Sequence, residues 1–202
     1  MGCLMEYVTH AAMPTKHGSF TIHSWTDGEA TPAALIAGEL KDGALVRIHS
    51  GCLTGDGFGS LRCDCGEQLD RAMDMIAQSG NGMLIYLGAH EGRGIGFANK
   101  MRAYALQDRG IDTIAANHQL GFPTDARDYS AAIHILKHFG LTSIRLLTNN
   151  PDKIQSLTSA GIDVAERVSM AVAANPHNAG YLKTKRDVLG HFLLPDSDAP
   201  AA

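Results

Sequence analysis

Apolar positions fall at helical spacing in four stretches of the chain, and short apolar runs stand between them. Leu69, Ala72, Met73 and Ile76 follow the i, i+3, i+4, i+7 pattern just after Cys65, which predicts an amphipathic helix there. A second helix is predicted from about Asn99 to Arg109, stopped by Gly110 as its C′ residue. Tyr129, Ala132, Ile133 and Leu136 mark a third, ending before Gly140. Asn150-Pro151 supplies an N-cap and a proline at N1 for a fourth, which ends near Gly161. The runs Ala44–His49, Met83–Leu87, Ile144–Leu147 and, more weakly, Asp163–Val168 read as strands. Strands alternating with helices predict an α/β fold: a single domain with a β-sheet flanked by helices. Gly18–Ile22 and Ala34–Ala37 look like antiparallel additions, so the sheet is expected to be mixed. Residues 1–12 read as a poorly ordered N-terminus and 195–202 as a flexible tail, around a compact domain over 13–194.

Composition narrows the function classes. The chain has 202 residues, long enough to bury a core without disulfides. Its formal net charge of -4 disfavours a duplex nucleic-acid surface or a polybasic membrane surface, but not a local basic pocket. No apolar run approaches the ~18 residues of a membrane span. The opening Met-Gly-Cys-Leu-Met-Glu lacks the features of a secretory signal, and Glu6 stands where myristoylation wants Ser or Thr. The expected location is the cytoplasm, where cysteines stay reduced. Against that background the 4 Cys and 10 His are the unusual counts.

Ligands in open α/β sheets gather beyond the carboxyl ends of the strands. Four such loops can be placed here: after His49, after Leu87, around Asp125 and after Leu147. The first carries Cys52, Cys63 and Cys65 in CLTGDGFGSLRCDC. Thiolates are soft ligands, zinc is their common partner, and three of them leave one tetrahedral position for water. A structural site closed by His49, His90 or His118 is the alternative, and three merely buried cysteines a third. Cys3 stands apart from this cluster.

The loop after Leu87, Gly88-Ala-His-Glu-Gly-Arg-Gly-Ile-Gly96, has glycines that let backbone approach a ligand, but it matches neither the dinucleotide fingerprint nor a P-loop. Leu147-Thr-Asn-Asn-Pro-Asp-Lys153 is a better anion site, with Thr148, helix N-terminal amides and Lys153 converging. Arg47, Arg62, Arg93 and Arg127 fall on the other strand-end loops and offer the cations a triphosphate needs. Asp125 and Arg127, two apart, can face one side, while Asp128 suits a helix cap.

Taken together, these segments resemble GTP cyclohydrolase II of riboflavin biosynthesis. The likeness is carried by HSGCLTGDGFGSLRCDCGEQL at 49–69, EGRGIG at 91–96, RAYALQDRGIDT at 102–113, ANHQLGFPTDARDY at 116–129 and LLTNNPDK at 146–153. NPHN…YLKTK…GH, from Asn175, continues it. The resemblance implies opening of the imidazole ring of GTP, with release of formate and pyrophosphate and formation of 2,5-diamino-6-ribosylamino-4(3H)-pyrimidinone 5′-phosphate.

By that resemblance Cys52, Cys63 and Cys65 hold Zn2+, whose water attacks C8 of guanine. Tyr104 matches the family's active-site tyrosine, Asp125 its proton acceptor and Arg127 the nucleophile at the α-phosphate. A guanidinium with a pKa above ~12 is a better phosphate clamp than nucleophile, so electrostatic stabilisation is the rival role for Arg127. Substrate binding is carried over to Arg47, Ile48, His49, Ser50, Gly51, Gln68, Glu91, Gly92, Arg93, Thr113, Thr148 and Lys153. Mg2+ is expected on the pyrophosphate, and a homodimer is expected. Two positions depart from the family pattern: Gly51 stands where Glu is common, and His90 where Gln is usual. They leave open a paralogue that stops at the formylated product, or a non-catalytic GTP-binding protein with structural zinc. A nucleic-acid-binding zinc module is disfavoured by the acidic charge and the 6% aromatic content.

Overall fold

The computed structural model describes residues 5–192. Its strands are β1 (Glu6–Thr15), β2 (Gly18–Thr26), β3 (Ala33–Gly38), β4 (Ala44–Ser50), β5 (Asn81–Leu87), β6 (Ser143–Leu147) and β7 (Asp163–Val168). Its helices are α1 (Cys65–Ser79), α2 (Gly96–Gln107), α3 (Thr113–Gln119), α4 (Ser130–His138), α5 (Pro151–Ser159) and α6 (Ala179–Asp187). The strands form one mixed sheet in the order β1-β2-β3-β5-β4-β6-β7. The β5-β4-β6-β7 half is parallel and the β1-β2-β3-β5 half antiparallel.

Strand alternation divides the core between the two faces. Ala44, Val46 and Ile48 pack with Ala132, Ile135 and Leu136 of α4 and Leu157 of α5. Leu45 packs on the other face with Ala72, Met73 and Ile76 of α1. Arg47 follows Leu45 at the two-residue period, so its side chain is directed toward α1, where Gln68 meets it. Each fully buried aliphatic side chain contributes about 1.5–3 kcal/mol, which anchors β4 at the centre of the sheet.

The chain leaves β4 for β5 on one side and returns past it to β6 on the other. This reversal opens a crevice beyond the carboxyl ends of β4 and β6, where doubly wound sheets bind ligands. Local sequence fixes its rims. Asn150 accepts a hydrogen bond from the Asp152 amide at 3.0 Å, with Pro151 at the first helical position, so α5 starts at the mouth of the crevice.

The antiparallel strands β2 and β3, the central parallel strands and four helices stand where the apolar pattern puts them, though α2 starts at Gly96, ahead of Asn99. The expected disorder of residues 1–12 does not extend to Glu6–Ala12, which lie in β1, paired antiparallel with β2 from Glu6↔Thr26 onward. Most of β1 is exposed, so it lacks the hydrophobic alternation that marks a half-buried strand. The tail expected over 195–202 lies outside the described residues. Two short helices, α3 and α6, had no clear apolar periodicity. The first is fixed by Asp112, whose carboxylate accepts from the Ile114 and Ala115 amides. The second buries chiefly Leu182 and Lys185.

Candidate active site

Cys52 follows β4 on a loop that coils through a π-helical turn over Leu53–Gly57, while Cys63 and Cys65 stand at the entry to α1. The three sulfur atoms lie within 4.8 Å of one another, with Cys52 and Cys63 separated by 3.7 Å. The backbone of Gly55 wraps this nest: a Cβ there would come within 2.9 Å of the Cys63 sulfur and 3.3 Å of the Cys52 sulfur. Lys100 of α2 donates to the Cys52 sulfur at 3.0 Å and to Thr54 Oγ1 at 2.8 Å. The same ammonium pairs with Glu91 at 2.6 Å, and Glu91 accepts from the Leu53 amide. Hydrogen bonds from Cys63, Cys65, Thr54 and Lys100 lower the Cys52 pKa, whereas the Cys52 sulfur and burial push Cys63 and Cys65 up. Three adjacent sulfurs that cannot all ionise unaided are matched to a soft divalent cation. The donor set fits zinc.

The histidines considered as a fourth ligand are engaged elsewhere. His49 Nε2 meets the Asp56 carboxylate at 3.0 Å, which also accepts from the Cys52 amide and the Tyr86 hydroxyl. His118 meets Thr124. His90 bridges Ser50 Oγ, at 3.1 Å from Nδ1, and the Asp128 carbonyl, at 2.9 Å from Nε2. Because a carbonyl only accepts, Nε2 carries the proton and Nδ1 accepts from Ser50. Burial, helped by Arg127 and Lys153, pushes the His90 pKa down to about 4, so this tautomer is neutral at physiological pH. Among the described residues the cluster that could hold a metal is therefore the three cysteines.

Beside the nest, the crevice between β4 and β6 is a cation pocket. Arg47, Ser50, Gln68, Arg93, Arg127, Thr148 and Lys153 line it, together with Lys185 and His191 from the C-terminal segment. Arg47 donates to the Leu147 carbonyl and to Gln68 Oε1 at 2.6 Å. Lys153 donates to the Ile48 carbonyl at 2.7 Å. Burial and the neighbouring charges of Arg47, Arg127 and Lys185 pull its pKa well below the ordinary lysine range. Like charges buried this closely are relieved by loss of a proton or by a bound anion. Arg127 forks onto Asp125, with Nε 2.9 Å from Oδ1 and Nη2 2.5 Å from Oδ2, and extends Nη1 to Ser50 Oγ. Burial opposes its charge, but Asp125 outweighs that and raises its pKa above the ordinary guanidinium value. The carboxyl of Asp125 is held down in return, against burial, by the same contacts.

A second hollow, sharing Arg93, is lined by Gly92, Lys100, Tyr104, Thr113 and Tyr181. The Tyr104 ring lies 4.3 Å from the Arg62 guanidinium and 5.6 Å from the Lys100 ammonium, which puts it between the sulfur nest and this hollow.

The residues expected from sequence fall in three adjoining places: the sulfur nest, the cation pocket with Arg47, Ser50, Gln68, Arg93, Arg127, Thr148 and Lys153, and the second hollow with Gly92, Tyr104 and Thr113. Several do not present their side chains there. Ile48 is fully buried in the core and offers only its carbonyl. His49 supports the Cys52 loop through Asp56. The Gly51 amide continues the sheet ladder to the Leu87 carbonyl at 2.9 Å. Sequence reasoning passed over Asp56, Asp64, Lys100, Tyr181 and Lys185. Asp64 sits between two of the cysteines and Lys185 within the quoted YLKTK, so the first had a positional signal and the second only a resemblance.

A crevice at the sheet's switch point, with a nest of three cysteines on one wall and cations on the other, has the makings of an enzyme site for an anionic substrate. Comparison with known proteins gives the family. The family model for GTP cyclohydrolase II matches residues 6–169, and the chain belongs to that family. It is 52% identical over 198 residues to GTP cyclohydrolase-2 of Hahella chejuensis, covering 96% of this chain and 95% of the relative. It is 51% identical over 193 residues to riboflavin biosynthesis protein RibBA of Salinispora tropica, covering 94% of this chain and 48% of the relative. A RibBA of Chlamydia trachomatis is 50% identical over 201 residues, with 96% and 47% covered. The chain thus spans about half the length of the RibBA relatives it matches. Among the described residues no helix is long and apolar enough to cross a membrane.

Proposed function

We propose that the chain catalyses zinc-dependent hydrolytic opening of the imidazole ring of GTP, releasing formate and pyrophosphate and leaving the diaminopyrimidinone ribosyl 5′-phosphate. The observation that carries this is the convergence of the Cys52, Cys63 and Cys65 sulfurs within 4.8 Å beside a pocket walled by Arg47, Arg93, Arg127 and Lys153. Zinc bound by the three thiolates would supply a water of lowered pKa for attack at C8.

The remaining roles belong to the chain's own side chains. Arg47, Arg93, Thr148 and Lys153 hold the phosphates, with Ser50 and Gln68 completing the wall. Glu91 positions Lys100 against Cys52, and Gly92, Thr113 and Tyr104 line the hollow beside it. Tyr104, whose ring lies 5.6 Å from the Lys100 ammonium, serves proton traffic, and Asp125 is the acceptor once its partner turns toward substrate. Arg127 acts as an electrostatic clamp on the α-phosphate. Its charge is reinforced by Asp125, which is the reverse of what a nucleophilic nitrogen requires. Mg2+ bound with the triphosphate would offset its charge as pyrophosphate leaves.

The deciding experiment is to quantify formate and pyrophosphate per GTP consumed by zinc-loaded protein with magnesium. One formate and one pyrophosphate per GTP are expected. Ring opening without formate would instead indicate a formylated product, and calorimetric GTP binding without turnover a non-catalytic protein. We place the protein in the cytoplasm as a homodimer, the second of which sedimentation velocity checks.

A further inference from the structure

The pocket has a wall that lies outside the 6–169 match to the family. After β7 the chain turns through a loop in which the Asn178 carboxamide accepts from the Asn175 amide at 2.8 Å, and then enters α6. Beyond α6 it folds back: the His191 amide donates to the Lys185 carbonyl at 3.0 Å, and the Phe192 amide to the Asn149 carbonyl at 2.8 Å. Asn149 lies in the turn between β6 and α5 that also carries Thr148, so both belong to the same rim. Both ends of the segment are thereby tied down, and Lys185 is directed into the crevice.

Lys185 Nζ lies 2.6 Å from Asp64 Oδ1, with both residues buried. The other Asp64 oxygen accepts from Gln68 Nε2 at 2.6 Å, and Gln68 Oε1 accepts from Arg47. A hydrogen-bonded line therefore runs from α6 through Asp64, between the cysteines, to the pocket floor. Among the described residues five cations line the pocket, Arg47, Arg93, Arg127, Lys153 and Lys185, and only Arg127 and Lys185 of these hold a carboxylate. Lys185 has three ammonium protons and, among the described residues, one hydrogen-bond partner, Asp64, with the Tyr181 ring 4.5 Å to one side.

We propose that Lys185 is an anion-binding residue of this pocket, contributed by the C-terminal segment and contacting the phosphate chain of the nucleotide while Asp64 holds it in place. This rests on the reading of the pocket as a polyphosphate site. A structural ion pair alone would explain the Asp64 contact, but not why the ammonium faces a crevice already crowded with Arg47 and Lys153.

The test separates these roles by calorimetric titration of the zinc-loaded full chain with inorganic tripolyphosphate. Lys185→Met alone leaves Asp64 buried and unpaired, so the informative protein is the double variant Lys185→Met/Asp64→Asn, which removes both charges and keeps the Gln68 contact. We expect wild-type zinc content and tripolyphosphate affinity at least tenfold weaker, with Lys185→Arg within about threefold of wild type. Recovery of wild-type affinity in the double variant would make Lys185 a structural residue and overturn the proposal. If the double variant does not fold, Lys185→Gln measured against Lys185→Arg applies the same tenfold criterion. Failure of the wild type to bind tripolyphosphate also overturns it. The formate assay reports separately on the GTP reading: absence of formate with Lys185-dependent tripolyphosphate binding would sink the reaction and leave this site standing.

Discussion

The sulfur nest and the cation pocket lie at the ends of neighbouring strands, and their electrostatics are opposite. The nest gathers groups that become anions and lacks a cation equal to them; Lys100 neutralises one sulfur. The pocket gathers cations, and among the described residues three of its five lack a carboxylate partner. They also differ in how the chain builds them. The three cysteines come from a single loop and the helix entry that follows it. The pocket draws on β4, the loop after β5, the segment before α4, the β6–α5 turn and α6. A metal nest can be written locally because its ligands need only a short coil, whereas a polyphosphate needs charges from several directions and therefore a finished fold.

If the two regions are separable, damaging one should spare the other. The largest effect is expected from Cys63→Ser, which replaces a soft ligand by a hard one. Zinc should be lost and formate production should fall below roughly a hundredth of wild type. Tripolyphosphate binding should persist, and its loss in this variant would show that the pocket depends on the nest. Arg127→Met should do the converse, lowering kcat about 10²–10³-fold while zinc content is unchanged. A variant with normal kcat would remove Arg127 from the chemistry.

A pH effect comes next. His90 is neutral in the fold, with its pKa at about 4, and would titrate near 6.5 when unfolded. Between those values the unfolded chain binds the proton and the native one does not. The stability His90 contributes is therefore complete above pH 6.5 and falls as pH drops toward 4, by on the order of a few kcal/mol. His191 is half-buried, and desolvation with the charges of Lys185 and Arg127 holds its pKa at about 3, so it acts in the same direction. His90→Gln keeps a donor and an acceptor between Asp128 and Ser50, and should flatten the slope of urea midpoint against pH over this window. An unchanged slope would place the titration elsewhere.

The smallest effect tests the seam itself. A Cβ on Gly51 would meet Gly88 Cα at 3.0 Å and the Leu87 carbonyl and Tyr86 hydroxyl at 3.1 Å. Gly51→Ala should cost about 1–3 kcal/mol by overpacking, with Tyr86→Phe restoring a part of it in a thermal melt. Full restoration would mean that the backbone contacts yield freely.

The same contrast explains what could be read in advance. Periodicity marks the helices that cover the sheet because their apolar stripes face it: Ala72, Met73 and Ile76 on one side, Ala132 and Leu136 on the other. It fails for β1, which is exposed along most of its length, and for α6, whose buried residues include a lysine. Cys52, Cys63 and Cys65 announce themselves by type and spacing. Asp64 and Lys185 do not, because their partnership spans 121 residues and nothing in either local stretch points to the other. The pairing of Arg127 with Asp125 is short-range and legible; the Ser50–His90 bridge that meets it is not.

Arg93 has a φ of 64°, between Gly92 at 61° and Gly94 at 91°, and its two terminal guanidinium nitrogens are buried with no hydrogen-bond partner among the described residues. A left-handed backbone costs an L-residue about 1–2 kcal/mol, and glycine would remove most of that. Heat and turnover therefore select in opposite directions at this position. A library screened only for thermal tolerance should accumulate Arg93→Gly, with a higher Tm and weaker tripolyphosphate affinity, whereas one screened for catalysis should keep arginine.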